Sequence, residues 1–240
     1  MEIPETCRNC KNNDQCIRNV PLFASLNRET VHALTAKMGH KRYQKGEIIV
    51  HEGDRAEGFT VIQKGSAKAY RMNADGREQI LYIFPVNDYF GARFLLTEEE
   101  VPYTVEALEE SDVCILSTEQ FRTLLYTQPE VAIEIIEAMA NRMRVLESAM
   151  QSMGGRNAEL RIASLLIEFR RPYGREVDGY TVIDLPLSRE GLANYLGLAR
   201  ETLSRKLNDF EEEGIITLIG ARSVRINDRE RIGELAGIPF

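Results

Sequence analysis

Residues 187–207 read LSREGLANYLGLARETLSRKL. The stretch predicts a short helix that is capped by Ser188 and reaches Tyr195, followed by a turn at Gly197. A second helix is predicted over about 199–213. Two short helices joined by a glycine turn are typical of a helix-turn-helix, whose second helix lies in the major groove of DNA.

The segments around this stretch extend the prediction. A helix is expected over 157–171, ended by Pro172 and Gly174. A strand-like run then precedes the two short helices, and two apolar runs around Gly220 predict a hairpin behind them. The expected strands are residues 180–185, 215–218 and 224–226. Helix, helix-turn-helix and hairpin together indicate a winged helix.

The second short helix has one apolar and one polar face. Its expected buried residues are Leu203, Leu207 and Phe210. The opposite face carries an arginine, which pairs with guanine, and a glutamate, which can accept a hydrogen bond from cytosine. A merely solvated helix face is the alternative, but the flanking helix and hairpin favour DNA. The candidate DNA-contacting residues are Glu201, Ser204, Arg205, Arg200, Asn208, Ser188 and Arg189.

Between about residues 40 and 118, short apolar runs alternate with glycine. Examples are 47–50, 59–62 and 80–84. Residues 73–76 (Asn-Ala-Asp-Gly) predict a hairpin turn. Strands at such regular spacing predict an antiparallel sandwich or barrel.

A long helix is predicted from Pro129 to about residue 153, ended by the glycines at 154 and 155. Apolar residues recur along it at alternating steps of four and three, the period of a coiled-coil seam. They are Ala132, Ile136, Met139, Met143, Leu146, Met150 and Met153. We expect this seam to join two copies of the chain, while residues such as Ile133 and Ala140 pack on the helix's own domain.

Length and composition are those of a globular protein of two modest domains, with 240 residues, 43% hydrophobic and 28% charged. No stretch approaches 18 uncharged apolar residues and no secretory leader is visible, so a cytoplasmic protein is expected. The net charge of −7 argues mildly against nucleic-acid binding, but residues 1–155 carry −6 of it and residues 156–240 only −1.

The cysteines are the second informative feature. Cys7, Cys10 and Cys16 form a C-x2-C-x5-C run, and Cys114 lies in an apolar strand. A reducing compartment disfavours structural disulfides, so metal or redox chemistry is the better expectation. Four thiolates suit an iron–sulfur cluster, and they also suit structural zinc.

Other readings of the cysteines stay open at this point. A thiol–disulfide switch needs no metal, and Cys114 alone could be a small buried hydrophobic residue. A catalytic metal site is the weakest, because the histidines His32, His40 and His51 form no close pair. An enzyme built on a cupin-like roll would need converging histidine and carboxylate ligands, so no enzymatic activity is expected.

Residues 187–198 and the Glu-Thr-Leu-Ser-Arg run at 201–205 resemble the helix-turn-helix of the cyclic-AMP receptor protein/FNR superfamily, FNR being the fumarate and nitrate reduction regulator. Residues 45–47 (Lys-Gly-Glu) and 53–54 (Gly-Asp) resemble its sensor domain, and the likeness covers about 18–237. It implies an α+β fold with an antiparallel β-roll, a dimerisation helix and a winged helix-turn-helix. The implied divisions are 1–18, 19–127, 128–155 and 156–240.

The resemblance also implies a function. Glu-x-x-Ser-Arg is similar to the FNR-type reading set, which implies a palindrome like TTGAT-N4-ATCAA, a homodimer, and RNA polymerase as a protein partner. One departure is Ala199, where members often carry a capping Ser or Thr. Cys7, Cys10, Cys16 and Cys114 match the [4Fe–4S] ligands of FNR, which implies sensing of oxygen, of redox state or of nitric oxide.

Cyclic AMP is not the expected ligand. The superfamily holds it with a Glu after a Gly and with an Arg-Ser/Thr pair, whereas here Gly91 precedes Ala92-Arg93 and residues 102–104 are Pro-Tyr-Thr. The alternative to a cluster is a thiol-switch, zinc-bound or small-ligand-responsive regulator of the same superfamily.

Overall fold

The computed structural model describes residues 19–24, 26–154, 158–238 and 240, and of residues 141–142 and 144–154 it describes the backbone alone. The chain divides into two compact units. The first comprises Met1–Asp75 and Leu81–Arg142, and the second Gly76–Ile80 and Met143–Phe240. Cys7, Cys10 and Cys16 lie outside the described residues.

The first unit is a two-sheet roll with helices. Its strands are β1 (Gly39–Tyr43), β2 (Ile48–Val50), β3 (Gly58–Lys64), β4 (Ala67–Met72), β5 (Glu78–Phe84), β6 (Tyr89–Phe90), β7 (Thr104–Ala107) and β8 (Ser111–Ser117). Its helices are α1 (Arg28–Thr35), α2 (Ala92–Thr97), α3 (Thr118–Thr127) and the beginning of α4 (Pro129–Gly154), after a 3-10 turn at Pro21–Phe23.

The strands form one sheet of order β1-β8-β3-β6 and another of order β2-β7-β4-β5. Their antiparallel pairing includes β1 with β8 and β4 with β7. The predicted turn at 73–76 is confirmed, because β4 and β5 are neighbours and Gly76 has a φ of 72°. The predicted antiparallel roll is therefore confirmed.

Alternation along the strands of the first sheet produces two cores. Ile62 and Val113 face the roll interior, where they pack with residues such as Phe84. Phe59 and Cys114 face the other way, into a core shared with the helices. The Cys114 sulfur therefore lies on the face of β8 that packs against the helices.

Helix α4 packs on the first unit through Val131 and Ile135, which are buried. The expectation that Ile133 and Ala140 form this contact was wrong, because both are exposed. At 100° per residue, positions 131, 135 and 138 share one helix face, and residue 133 lies about 200° from 131.

The second unit is a winged helix. Its helices are α5 (Ala158–Tyr173), α6 (Arg189–Leu196), α7 (Arg200–Glu212) and α8 (Arg229–Ala236). Its strands are β9 (Gly174–Val177), β10 (Tyr180–Asp184), β11 (Ile216–Ile219) and β12 (Ser223–Ile226). They form one sheet of order β11-β12-β10-β9. The predicted helix-turn-helix and hairpin are confirmed.

Two details around α5 differ from expectation. The helix continues through Pro172 to Tyr173, since a proline in the last turn removes only one backbone hydrogen bond. Strand β9 was not predicted, although Asp178-Gly179 is a recognisable two-residue hairpin turn with φ of 50° and 81°. At Gly174 a Cβ would clash with the Arg170 carbonyl oxygen, so glycine permits the sharp turn into β9.

The helix-turn-helix is formed by local interactions. Ser188 caps α6 by accepting a hydrogen bond from the Gly191 amide at 3.2 Å. Gly197 ends that helix with a left-handed φ of 62°, which glycine adopts without strain. Ala199 precedes α7 and makes no side-chain cap, as its lack of a side-chain oxygen requires.

Candidate functional site

The outer face of α7 carries the predicted reading set. Leu203, Leu207 and Phe210 are buried beneath it. Glu201, Arg205 and Asn208 are exposed, and Ser204 is half-buried. The structure thus brings four of the predicted residues together on one solvent-facing surface.

The positive charges on α7 are not equivalent. Lys206 Nζ lies 2.8 Å from Glu159 Oε1 and 3.0 Å from Asp209 Oδ2. Arg200 and Arg205 are exposed and make no ion pair within the part of the chain that the structure describes. Their guanidinium groups are therefore available to bind another molecule, whereas the Lys206 ammonium is already paired with carboxylates.

A second candidate site surrounds Cys114. Its Sγ lies 3.3 Å from His40 Nδ1 and 3.2 Å from Gln63 Oε1. His40 and Cys114 are directly opposite each other in the β1–β8 pairing. Gln63 lies on β3, the strand that pairs with the other edge of β8. Cys114 is 3% exposed, whereas His40 and Gln63 are half-buried. The sulfur is thus enclosed but flanked by polar groups that reach solvent.

An ion pair lies two positions along the same strands. Arg42 Nε is 2.6 Å from Asp112 Oδ1, and this carboxylate is almost fully buried. Burial lowers the pKa of His40, with the nearby Asp112 carboxylate opposing that shift. Burial therefore favours the neutral imidazole, which has one N–H and one lone pair.

Buried aromatic and aliphatic side chains pack between the two sheets of the roll. A cavity of about 10 Å³ lies between the sheets, beside Tyr43, Phe90 and Phe94. That is about the volume one water molecule needs. The two positions singled out in the sequence, Ala92 and Tyr103, are both buried.

The predicted seam on α4 is partly described. Ile136, Met139 and Met143 are 65%, 41% and 61% exposed, and Ala132 is half-buried. The side chains of Leu146, Met150 and Met153 lie outside the described residues. Large apolar side chains at such exposure on one helix face are typical of a surface that another protein covers.

Known proteins resemble both units. Residues 40–128 match the family model of the cyclic nucleotide-binding domain, and residues 160–235 match that of the Crp-like helix-turn-helix domain. The chain is 30% identical over 221 residues to the probable transcriptional regulator flp of Lacticaseibacillus casei, covering 92% of this chain and 98% of that protein. The chain belongs to the CRP/FNR family of transcription regulators.

Two further similarities agree with that membership. The transcriptional activator protein FnrL of Cereibacter sphaeroides is 30% identical over 240 residues, covering 98% of this chain and 95% of that protein. The structure of FixK2 from Bradyrhizobium japonicum matches with a TM-score of 0.73 and 28% identity, covering 82% of this chain and 96% of that one. This CRP/FNR regulator is a DNA-binding protein, and its family consists of transcription regulators, not enzymes.

Two predicted DNA-contacting residues, Ser188 and Arg189, are less accessible to a partner than those on α7. The Ser188 hydroxyl already serves as the α6 cap. Arg189 is half-buried, and its Nη1 atom is enclosed with no hydrogen-bond partner among the described residues. Burial lowers the pKa of this guanidinium, while the Glu211 carboxylate opposes the shift. Both remain predicted DNA contacts of the regulator.

The sequence did not reveal the residues that position α7, the reading helix. Arg161 on α5 donates from Nη1 to the Leu196 carbonyl oxygen at 3.1 Å, at the end of α6. Glu211 Oε1 accepts from the Leu218 amide at 2.7 Å and so ties α7 to the wing strand β11. The Arg161 contact joins residues 35 positions apart, so no local pattern reveals it.

The described residues do not by themselves hold a metal. They contain no group of three His, Cys, Asp or Glu side chains suited to an ion. The neighbours of the Cys114 thiol include the His40 imidazole and the Gln63 amide oxygen. A thiol beside an imidazole that can donate an N–H fits a thiolate ligand of iron. A cluster would take its other ligands from outside the described range. Among the described helices of the regulator, none is long and apolar enough to cross a membrane.

Proposed function

We propose that this regulator is a homodimer that carries a [4Fe–4S] cluster, senses oxygen or nitric oxide through it, and binds an FNR-like palindrome. The observation that carries the proposal is the position of Cys114. Its sulfur faces the core that also contains Val20, Leu22 and Phe23. The chain that follows the cysteine run therefore enters the same core as the fourth cysteine.

Chain length supports ligation by all four cysteines. Cys16 precedes Val20 by four residues. An extended chain spans at most about 3.6 Å per residue, so their Cα atoms are separated by no more than about 14 Å. Cys7, Cys10 and Cys16 could supply three thiolates and Cys114 the fourth, which is the number that a [4Fe–4S] cluster takes. The bound cluster would supply a group that oxygen and nitric oxide attack.

The small cavity between the two sheets argues against a nucleotide as the signal. A cavity of about 10 Å³ cannot accept a ribose and a phosphate. Ala92 lacks the carboxylate that would bind the ribose, and Tyr103 lacks the cation that would bind the phosphate. A cysteine-based signal is therefore favoured over cyclic AMP.

The reading face supports the proposed palindrome. Arg205 and Glu201 are exposed together, one as a guanine-pairing donor and the other as an acceptor for the cytosine amino group. Two such faces related by a dyad would read half-sites one helical turn apart. The exposed seam around Ile136 and Met139 would join the two copies.

Cluster content tests the ligand assignment. We expect Cys114→Ser, purified without oxygen, to lose iron and sulfide relative to the wild type, because no other described cysteine can replace it. Ile115→Val, a change on the same strand, should retain both. Full iron and sulfide in Cys114→Ser would contradict the assignment. Zinc in place of iron, or a colourless metal-free protein that responds to thiol oxidants, would favour the zinc-bound or thiol-switch alternative.

A further inference from the structure

Two polar contacts of the Cys114 sulfur, to Gln63 and to His40, have different roles. A thiol has one proton, so it can donate to only one neighbour. Gln63 Oε1 can only accept, and at 3.2 Å it receives that proton. The contact to His40 Nδ1 at 3.3 Å then requires the tautomer with a proton on Nδ1, whose N–H donates to sulfur.

We propose that His40 is a positioning residue for the cluster: its Nδ1–H donates a hydrogen bond to the Cys114 sulfur and thereby slows destruction of the cluster by air. The inference rests on the proposed function, since it assigns His40 a task toward a ligand of that cluster. It concerns a residue outside the cysteine set.

The geometry keeps this hydrogen bond in place when the thiol becomes a ligand. His40 and Cys114 are directly paired in the β1–β8 register, so the backbone fixes their separation. A metal-bound thiolate has lost its proton and is a better acceptor of N–H donors than the thiol.

The expected effect follows from the charge on sulfur. Hydrogen bonds to cluster sulfurs, together with limited solvent exposure, set the reduction potential of iron–sulfur centres. An N–H donor stabilises the electron-rich, more reduced form. Removing it should lower the potential, so that the cluster gives up an electron to oxygen more readily.

The test compares four proteins purified anaerobically: wild type, His40→Leu, His40→Gln and His51→Leu. Iron and sulfide content is measured first, then the midpoint potential, then the rate of bleaching after transfer to air-saturated buffer. His40→Leu should bleach roughly two- to tenfold faster, the range expected for loss of one neutral hydrogen bond. His40→Gln keeps an N–H donor and should restore most of the resistance. His51 is exposed outside the roll strands, so His51→Leu should match the wild type.

Each outcome separates the two proposals. A wild type without iron and sulfide contradicts the proposed function. A wild type with its cluster, beside a His40→Leu protein of equal cluster content, potential and bleaching rate, contradicts the His40 assignment alone.

If His40→Leu does not fold, a measurement on the wild type decides. In the chemically reduced protein labelled with ¹⁵N-histidine, electron–nuclear double resonance should detect a histidine ring nitrogen near the cluster. Absence of that coupling would refute the role of His40.

Discussion

Arg161 donates a hydrogen bond of 3.1 Å to the carbonyl oxygen of Leu196, across the junction between α5 and the end of α6. The carbonyls of a helix's last turn have no partner within the helix. Arg161 supplies one immediately before the left-handed turn at Gly197. The orientation of α6 relative to α7 thus depends partly on a residue that precedes both.

Replacing Arg161 should therefore weaken DNA binding, although we do not expect Arg161 itself to contact DNA. Arg161→Met leaves the Leu196 oxygen without its donor, at a cost of about 1–3 kcal/mol in the free energy of unfolding. Urea unfolding and DNA titration of the same protein measure both effects. Arg171→Met, a change at an exposed arginine on the same helix, is the control. Equal behaviour of the two variants would show that the Arg161 contact does not support the turn.

Arg205 should contribute to sequence reading, and Lys206 should not. Arg205→Ala is expected to cost about 1–3 kcal/mol on the TTGAT-N4-ATCAA site through loss of a base contact, with a much smaller loss on random DNA. Fluorescence anisotropy with both duplexes at one salt concentration measures the difference. Lys206→Ala is the matched control, because that ammonium is already engaged by Glu159 and Asp209. An equal loss on both duplexes would indicate that Arg205 contacts only phosphate.

The start of the reading helix offers a gain in stability. Ala199→Ser would give α7 the side-chain cap it lacks and should raise the unfolding free energy by about 0.5–2 kcal/mol. Ser188→Ala, which removes an existing cap from α6, should lower it by a similar amount. Thermal unfolding of the two variants provides the comparison. If Ala199→Ser is no more stable than the wild type, the added hydroxyl does not accept a hydrogen bond from the first backbone amides of α7.

The exposed face of α4 should hold the dimer together. Ile136→Asp places like charges opposite each other if the seam is shared, and it should shift the protein toward monomer in sedimentation experiments. Glu137→Gln changes the adjacent residue, which lies about 100° around the helix, and should leave assembly unchanged. A dimer of wild-type affinity in Ile136→Asp would place the interface elsewhere.

Much of the fold was predictable because its signals are local. Gly197 and Ser188 mark the boundaries of α6, and Gly76 marks the β4–β5 turn. The packing face of α4 was assigned wrongly because its apolar residues cover more than one face. Only the three-dimensional contacts show that Val131 and Ile135 pack on the first unit while Ile133 does not.

The candidate sites divide in the same way. The polar face of α7 follows from helical spacing, so Glu201, Ser204, Arg205 and Asn208 could be placed from sequence. The neighbours of Cys114 could not, because His40 and Gln63 are 74 and 51 residues away along the chain. Strand order and register bring them together, and neither can be deduced from a single sequence.

In the proposed function, an iron–sulfur cluster controls DNA binding. The most direct measurement is the affinity of one anaerobic preparation for the TTGAT-N4-ATCAA duplex before and after exposure to air, with iron and sulfide determined in both states. We expect about four iron and four sulfide atoms per chain before exposure and their loss afterwards. The affinity should fall by about 5- to 150-fold, the usual range of allosteric coupling. An unchanged affinity after the cluster is lost, or an anaerobic protein that binds the duplex without containing iron, would contradict the claim.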